Sequence, residues 1–264
     1  MVQLNRPKVG TPAEAKILHT LHETGSLLIG DFFLPSYIIK CIQAAEGLAP
    51  TQKILIATEA IKRGSDDEFI KRMMAGIDDT KNWAVSVREE GYHQINILCF
   101  LSEWAAQESG LENTIAAIIQ TIEPAAISAA SKFANGRYTM SNWPWSDSQC
   151  LEIAQKLDSK AKEKTPDGGW DIANRLIVLF EWLGVILKIP LDAASKYNEA
   201  SMIRNVMLHR YGKLGDSEIR RAPHLSEWLE KTLPITQQTV TEYHNAIISI
   251  HLAIFTAIRE NGWK

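Results

Sequence analysis

The chain has 264 residues, of which 45% are hydrophobic, so it can bury a core in one large or two ordinary domains, and an intrinsically disordered protein is excluded. Its formal net charge of −3 excludes a protein drawn to nucleic acid by overall charge, and any such site must be a local basic patch. Cys41, Cys99 and Cys150 lie far apart without metal-site spacing, which predicts buried thiols in a reducing cytoplasm.

The first predicted helix has a clear beginning. Thr11 and Glu14 have the spacing of a capping box, in which each residue satisfies a backbone N–H group of the first turn. Gly25 predicts the end of this helix, because glycine is the usual residue just beyond a helix C-terminus. The preceding residues, 1–10, lack the apolar stretch of a secretory signal, which favours a cytoplasmic protein.

Further helices follow up to about residue 135. Gly91 predicts a break in a long helical stretch over residues 81–109, because glycine weakens a helix. Pro124 predicts a split in an Ala- and Ile-rich stretch, since a proline inside a helix removes a hydrogen bond and clashes with the preceding turn. The loop that follows contains Trp143 and Trp145, for which we favour an aromatic plug between helices over a base-stacking platform.

The second half resumes after the turn signal over residues 165–169. Residues 170–188 predict an apolar helix that is central or at an interface. Its run from Leu176 to Leu187 is the nearest approach to a membrane span, but Glu181 interrupts it, so no membrane association is predicted. Glu181 either faces Arg204 or is solvated. Residues 191–211 and 236–260 predict two further helices.

Helical periodicity therefore runs through the whole chain, and no strand pattern or Gly-rich phosphate loop interrupts it. The prediction is an all-α, multi-helix bundle of about ten helices. We place a division between an N-terminal helical region of unknown role, residues 1–166, and a C-terminal helical bundle, residues 167–264. A single continuous domain is the alternative.

The most informative segment is Arg204-Asn205-Val206-Met207-Leu208-His209-Arg210-Tyr211. On a helix Asn205 and His209 share a face, whereas Arg204 and His209 are about 140° apart around the axis. A guanidinium offers planar donors that suit phosphate, and an imidazole can move a proton near pH 7. Together they suit phosphodiester chemistry without a metal. A solvated helix face that happens to carry both residues is the alternative.

Two other pairings in the chain are weaker. Arg88 and His93 repeat the Arg–His spacing, but carboxylates follow the arginine, and Gly91 lies between the two residues. Glu90 and His93 fit half of a di-iron site, but no second copy of that motif is present, so no metal and no cofactor are predicted.

The segment R-N-x(3)-H, extended as R-x(4)-H-x-Y, resembles the motif of the HEPN superfamily, and the glycines and the Arg220-Arg221 pair downstream are similar to its following loop. The resemblance covers the chain from about Trp170 onwards. It implies a helical bundle that forms a homodimer, in which two copies of the motif share a cleft. Many members are metal-independent ribonucleases in toxin–antitoxin, phage-defence or RNA-processing systems, and others only bind.

Residue by residue, the resemblance implies that Arg204 and His209 are the catalytic pair and that Asn205 fills the polar position after the arginine. It matches Tyr211 to a tyrosine that a partner nucleotidyltransferase antitoxin modifies in one toxin branch. RNA is the expected partner, and an antitoxin protein is a second. Around the motif the basic residues predict the substrate-binding surface, together with Tyr211: Arg210, Lys213, Arg220 and Arg221. A binding module without chemistry and a helical scaffold whose motif is coincidental are the alternatives.

Overall fold

The computed structural model describes residues 11–64, 67–133, 138–165 and 170–261. Within these ranges the protein is helical and has no β-strand, so the all-α prediction is confirmed. The helices are α1 (Pro12–Arg63), α2 (Asp67–Glu89), α3 (His93–Thr121), α4 (Glu123–Ser131), α5 (Asp147–Lys164), α6 (Ile172–Trp182), α7 (Leu191–Arg210), α8 (Asp216–Arg221) and α9 (Gln237–Asn261). Two short 3-10 helices, Met140–Asn142 and Pro223–Trp228, lie in the connections.

The first helix is much longer than predicted. It starts as expected, with the Thr11 hydroxyl accepting a hydrogen bond from the Glu14 N–H at 3.2 Å. The predicted end at Gly25 is wrong, because α1 continues for 52 residues to a left-handed Gly64. Apolar side chains on the face that packs against α3 and α9 stay buried on both sides of Gly25, and this packing outweighs the cost of about 1 kcal/mol for a glycine inside a helix.

The two predicted interruptions of the middle region are confirmed. Gly91 has a φ of 66° and Tyr92 a φ of 61°, and this left-handed pair separates α2 from α3. Pro124 lies in the first turn of α4, directly after α3 ends at Thr121. The long helix α3 then packs against α1, α5, α7 and α9, so it is the central helix of the bundle.

One continuous hydrophobic core joins the two halves of the chain. It runs from Ile17 in α1 to Ile258 in α9 and includes side chains before and after the predicted division at residues 166 and 167. Residues 166–169 of the turn signal lie outside the described residues. The helix after them is shorter than predicted, because it ends at Trp182 and the chain then turns at a left-handed Gly184.

The distal part of α1 and the whole of α2 form an arm. In the described residues α2 packs substantially only against α1, for example through an ion pair between Arg88 and Glu46 at 2.7 Å. The longest apolar helix of the chain is α1 rather than the predicted Leu176–Leu187 run. By length and composition alone, α1 is a candidate membrane span.

Candidate active site

The motif occupies the last two turns of α7. Buried Met202, Ile203 and Val206 anchor this part of the helix in the core. Arg204 and Asn205 are therefore half-buried, whereas His209 near the C-terminus is exposed. The sequence placed this helix within one residue of its observed end at Arg210.

A carboxylate from α3 holds the guanidinium of Arg204. The Arg204 Nη2 lies 2.8 Å from Glu108 Oε2, and Nη1 donates to Asn205 Oδ1 at 3.0 Å. Glu181, the partner considered from the sequence, is exposed instead. Asn205 and Glu108 together fix the orientation of the arginine, and Glu108 compensates its charge. No sequence signal pairs residues that lie 96 positions apart.

The imidazole of His209 is open to solvent. Across the described part of the chain, no hydrogen bond or ion pair joins it to another side chain, Arg204 included. Arg204 is turned towards α3, and the helical repeat puts His209 about 140° from it around α7. A single chain therefore presents a fixed cation and a free imidazole on different faces of one helix.

Arg210, predicted to bind substrate, is bound to the loop that follows α7. Its Nη1 lies 2.7 Å from Oε2 of the buried Glu218, which also accepts the Gly215 N–H at 2.9 Å. Burial alone would raise the pKa of Glu218, but hydrogen bonds from Ser217 and Gly215 and the charge of Arg210 lower it. A Cβ at Gly215 would stand 2.7 Å from the Arg210 guanidinium, so a larger residue there would displace the end of this side chain.

The same loop displays other predicted residues. Tyr211 adopts a left-handed φ of 52° just after α7 and is 91% exposed. Lys213 and Arg220 are exposed as well. Buried Leu214 fixes the loop, since its carbonyl accepts the Glu230 N–H at 2.8 Å. The C-terminal end of α7 and its loop therefore form a rigid, solvent-facing surface with basic and phenolic groups.

Arg221 lies in a neighbouring cleft of about 650 Å³. Its guanidinium stacks on the Trp170 ring, 3.8 Å from the ring centroid. The cleft also contains Glu199, which pairs with His224 at 3.2 Å and with Lys196 at 3.1 Å. Arg221 is exposed as well, and its guanidinium belongs to this cleft together with Trp170.

The loop tryptophans do not form an open stacking platform. Trp145 is 3% exposed, and the indole of half-buried Trp143 donates to the Ile119 carbonyl at 3.0 Å. Both side chains close the gap between helices, as the aromatic-plug interpretation predicted.

No protein-family model, curated protein or solved structure matches this chain. Among the described residues, no three His, Cys, Asp or Glu side chains converge as a metal site.

Proposed function

We propose that this protein is an RNA endonuclease that works without a metal ion, by the chemistry of HEPN ribonucleases. The observation that supports this most is the free, solvent-exposed imidazole of His209, five residues after an arginine that two side chains hold in place. An imidazole can exchange protons with substrate only where substrate can reach it. A His209 side chain enclosed among aliphatic side chains would be out of reach of RNA and would contradict the proposal.

The proposed reaction is an attack of the ribose 2′-hydroxyl on the adjacent phosphorus. The O2′–P bond forms and the P–O5′ bond breaks, leaving a 2′,3′-cyclic phosphate and a 5′-hydroxyl. His209 takes the proton from the 2′-hydroxyl or gives one to the leaving 5′-oxygen. Arg204 stabilises the charge that builds on the phosphate oxygens, for which a pre-oriented guanidinium is well suited.

Asn205 then acts through Arg204 rather than on the phosphate. It accepts a hydrogen bond from Nη1, and Glu108 accepts one from Nη2, so three of the five N–H groups of the guanidinium remain for substrate. Arg204 and His209 lie on different faces of α7, so the proposal needs a second copy of the chain. The resemblance to HEPN proteins, which implies a homodimer, supplies it. Two copies of the chain would place the arginine of one copy near the histidine of the other.

The exposed loop residues make up the proposed RNA-binding surface. Lys213 and Arg220 would contact phosphates, and Tyr211 would stack on a base or ribose. The chain as a whole is mildly acidic, so this local basic surface would have to direct the RNA. The biological setting implied by the resemblance is phage defence or a toxin–antitoxin pair.

The test is cleavage of mixed RNA by the purified chain, with and without EDTA. We expect His209→Ala and Arg204→Ala each to slow cleavage by at least about 100-fold, and EDTA to have no effect. His22→Ala, which removes an exposed histidine of α1, is the matched control. Cleavage that needs a divalent ion, or that survives His209→Ala, would contradict the proposal.

A second candidate function is RNA or nucleotide binding without chemistry. It is favoured by the ion pair between Arg204 and Glu108, which compensates the positive charge that a phosphate would need. In that case wild type, Arg204→Ala and His209→Ala would be equally inert towards RNA. Substitution of Lys213 and Arg220 would still weaken RNA binding.

A further inference from the structure

Helix α1 has two apolar faces, and the bundle covers only one of them. The covered face contains Leu28, Ile39, Ile42 and Ala49, all buried against the rest of the protein. The opposite face has no partner in the described structure. Leu27, Leu34, Cys41, Leu48 and Leu55 recur on it at seven-residue intervals, and all five are exposed. We call this row the outer stripe.

The spacing of the outer stripe is that of a coiled coil. Three residues after each member comes a small or uncharged residue that is also exposed: Gly30, Tyr37, Ala44, Thr51 and Thr58. Alternating steps of three and four residues keep one seam of a helix towards a partner helix over many turns. The pattern extends over about 42 Å of α1, which is about eight helical turns.

The flank of the stripe is nearly free of charge. Phe33, Ile54 and Ile61 widen it on one side, and Lys40 is the one charged residue of that flank between Ser26 and Ile61. Exposed helix faces of soluble proteins normally carry many charged side chains. A long, uncharged stripe is therefore expected to be covered.

We propose that a second copy of this chain covers the outer stripe, with the two α1 helices related by a two-fold axis that brings the two Cys41 residues together. Seven large apolar side chains of the stripe and its flank, and Tyr37 beside them, are between 42% and 83% exposed. Half-exposed side chains of this size can each bury on the order of 100 Å². Together they provide roughly 800 Å² per copy, the area that a stable dimer of standard size buries on each partner.

Cys41 lies at the midpoint of the outer stripe. Leu27 and Leu55 are each fourteen residues from Cys41, and Leu34 and Leu48 are each seven. A surface that packs on its own copy must be self-complementary about a two-fold axis. Parallel helices in register bring the two Cys41 residues together, and so do antiparallel helices centred on the stripe.

This contact is distinct from a shared cleft between two motifs. Helix α7 packs on α3, α6 and α9, while the stripe consists of exposed positions of α1, of which Leu27 borders a cavity beside α3. Pairing through α1 therefore does not depend on Arg204 or His209, and it stands independently of the proposed ribonuclease activity.

A membrane is a less suitable occupant of the stripe. Asp31, in the most apolar part of α1, accepts a hydrogen bond from Ser102 of α3 at 3.0 Å, and Lys40 is exposed. At 52 residues α1 is about 78 Å long, whereas the hydrocarbon core of a bilayer is about 30 Å thick. The covered face also packs on helices that carry buried polar groups such as Glu103.

The test combines particle mass with cysteine cross-linking of the full-length protein. We expect sedimentation equilibrium to give a dimer or a larger assembly, and mild oxidation or a short bismaleimide to join two chains through Cys41, identified by mass spectrometry. Cys99 and Cys150 are buried, as the sequence predicted, and should not react, whereas the prediction of a buried thiol is wrong for Cys41. Cys41→Ser should abolish the cross-link and leave the dimer intact.

The decisive variant is Leu34→Lys with Leu48→Lys, which places charges in the stripe. We expect it to raise the dimer dissociation constant at least about 100-fold with unchanged helicity by circular dichroism. The control is Ile127→Lys with Leu252→Lys, which alters apolar residues of α4 and α9 that are 51% and 55% exposed. A monomeric wild type, an unchanged double variant, or a chain that associates only with phospholipid vesicles would overturn the proposal. Arg204→Ala and His209→Ala should leave the dimer unaffected.

Discussion

The guanidinium of Arg204 in α7 lies 2.8 Å from the carboxylate of Glu108 in α3, so the central helix of the bundle reaches the motif directly. The pair is partly exposed, with 27% of the arginine side chain and 43% of the glutamate side chain accessible. A phosphate that binds Arg204 must share it with this carboxylate. Glu108 therefore sets both the orientation and the effective charge of the arginine.

We predict that Glu108→Gln tightens RNA binding. Removing the negative charge beside Arg204 should lower the dissociation constant by a factor on the order of 3 to 10 at low salt, and less at high salt. Binding is measured by fluorescence anisotropy in the His209→Ala background, so that RNA stays intact. Glu112→Gln, one turn further along α3, is the control and should have a smaller effect. Unchanged or weaker binding by Glu108→Gln would show that Glu108 does not oppose the RNA.

Arg210→Ala should lower the free energy of unfolding by about 1–2 kcal/mol, because it leaves the buried Glu218 carboxylate without its cation. Arg220→Ala, on the exposed side of α8, should change it by less than about 0.5 kcal/mol. Urea denaturation of both variants measures the difference. Equal stability of the two would mean that the ion pair with Glu218 contributes nothing to the folded loop.

The thermal stability of the protein should fall in mild acid, in part through His93. Its Nδ1 accepts the Ile235 N–H at 2.8 Å, so the ring must be neutral at that nitrogen. Burial lowers the pKa of His93 below 6.5, although Glu90 opposes this. A lowered pKa gives stability that is present above the unfolded value and is lost as pH falls through the folded value.

His93→Asn, whose amide oxygen can accept the same hydrogen bond without titrating, should flatten this pH dependence. The measurement is the melting temperature of wild type and variant from pH 8 to about pH 5. His22→Asn is the control, since His22 is exposed and should leave the slope unchanged. If the melting temperature of His93→Asn depends on pH as strongly as that of the wild type, the acid sensitivity comes from other groups. His251 is one such group, because burial also lowers its pKa.

Gly110→Ala should destabilise the protein by about 1–3 kcal/mol, because a Cβ there would overlap the Thr24 side chain where α3 crosses α1. Gly76→Ala in α2 is the matched control. A Cβ at that position meets nothing within 4 Å, so the substitution should stabilise the helix by about 0.5–1 kcal/mol. The two variants therefore should shift the urea midpoint in opposite directions. A neutral Gly110→Ala would mean that α1 and α3 can separate without cost.

Local chemistry in the sequence was sufficient for much of the secondary structure. The Thr11 cap, the break at Gly91 and the start of a new helix at Pro124 each depend on a few adjacent residues. The motif helix was placed nearly to its last residue for the same reason, since a left-handed turn at Tyr211 and Gly212 ends it. The all-α class followed from periodicity alone.

Tertiary packing decided what local signals could not. Gly25 does not end α1, because the same face stays buried for several more turns and the Gly25 position lies close to His251 of α9. The partner of Arg204 comes from a helix 96 residues away, and the exposed Arg210 pairs with the buried Glu218. The sequence by itself determined which residues can do chemistry and where helices form, since both depend on near neighbours. Only the folded structure decided which of those residues are free, which are paired and which faces are left uncovered, because these depend on contacts between distant segments.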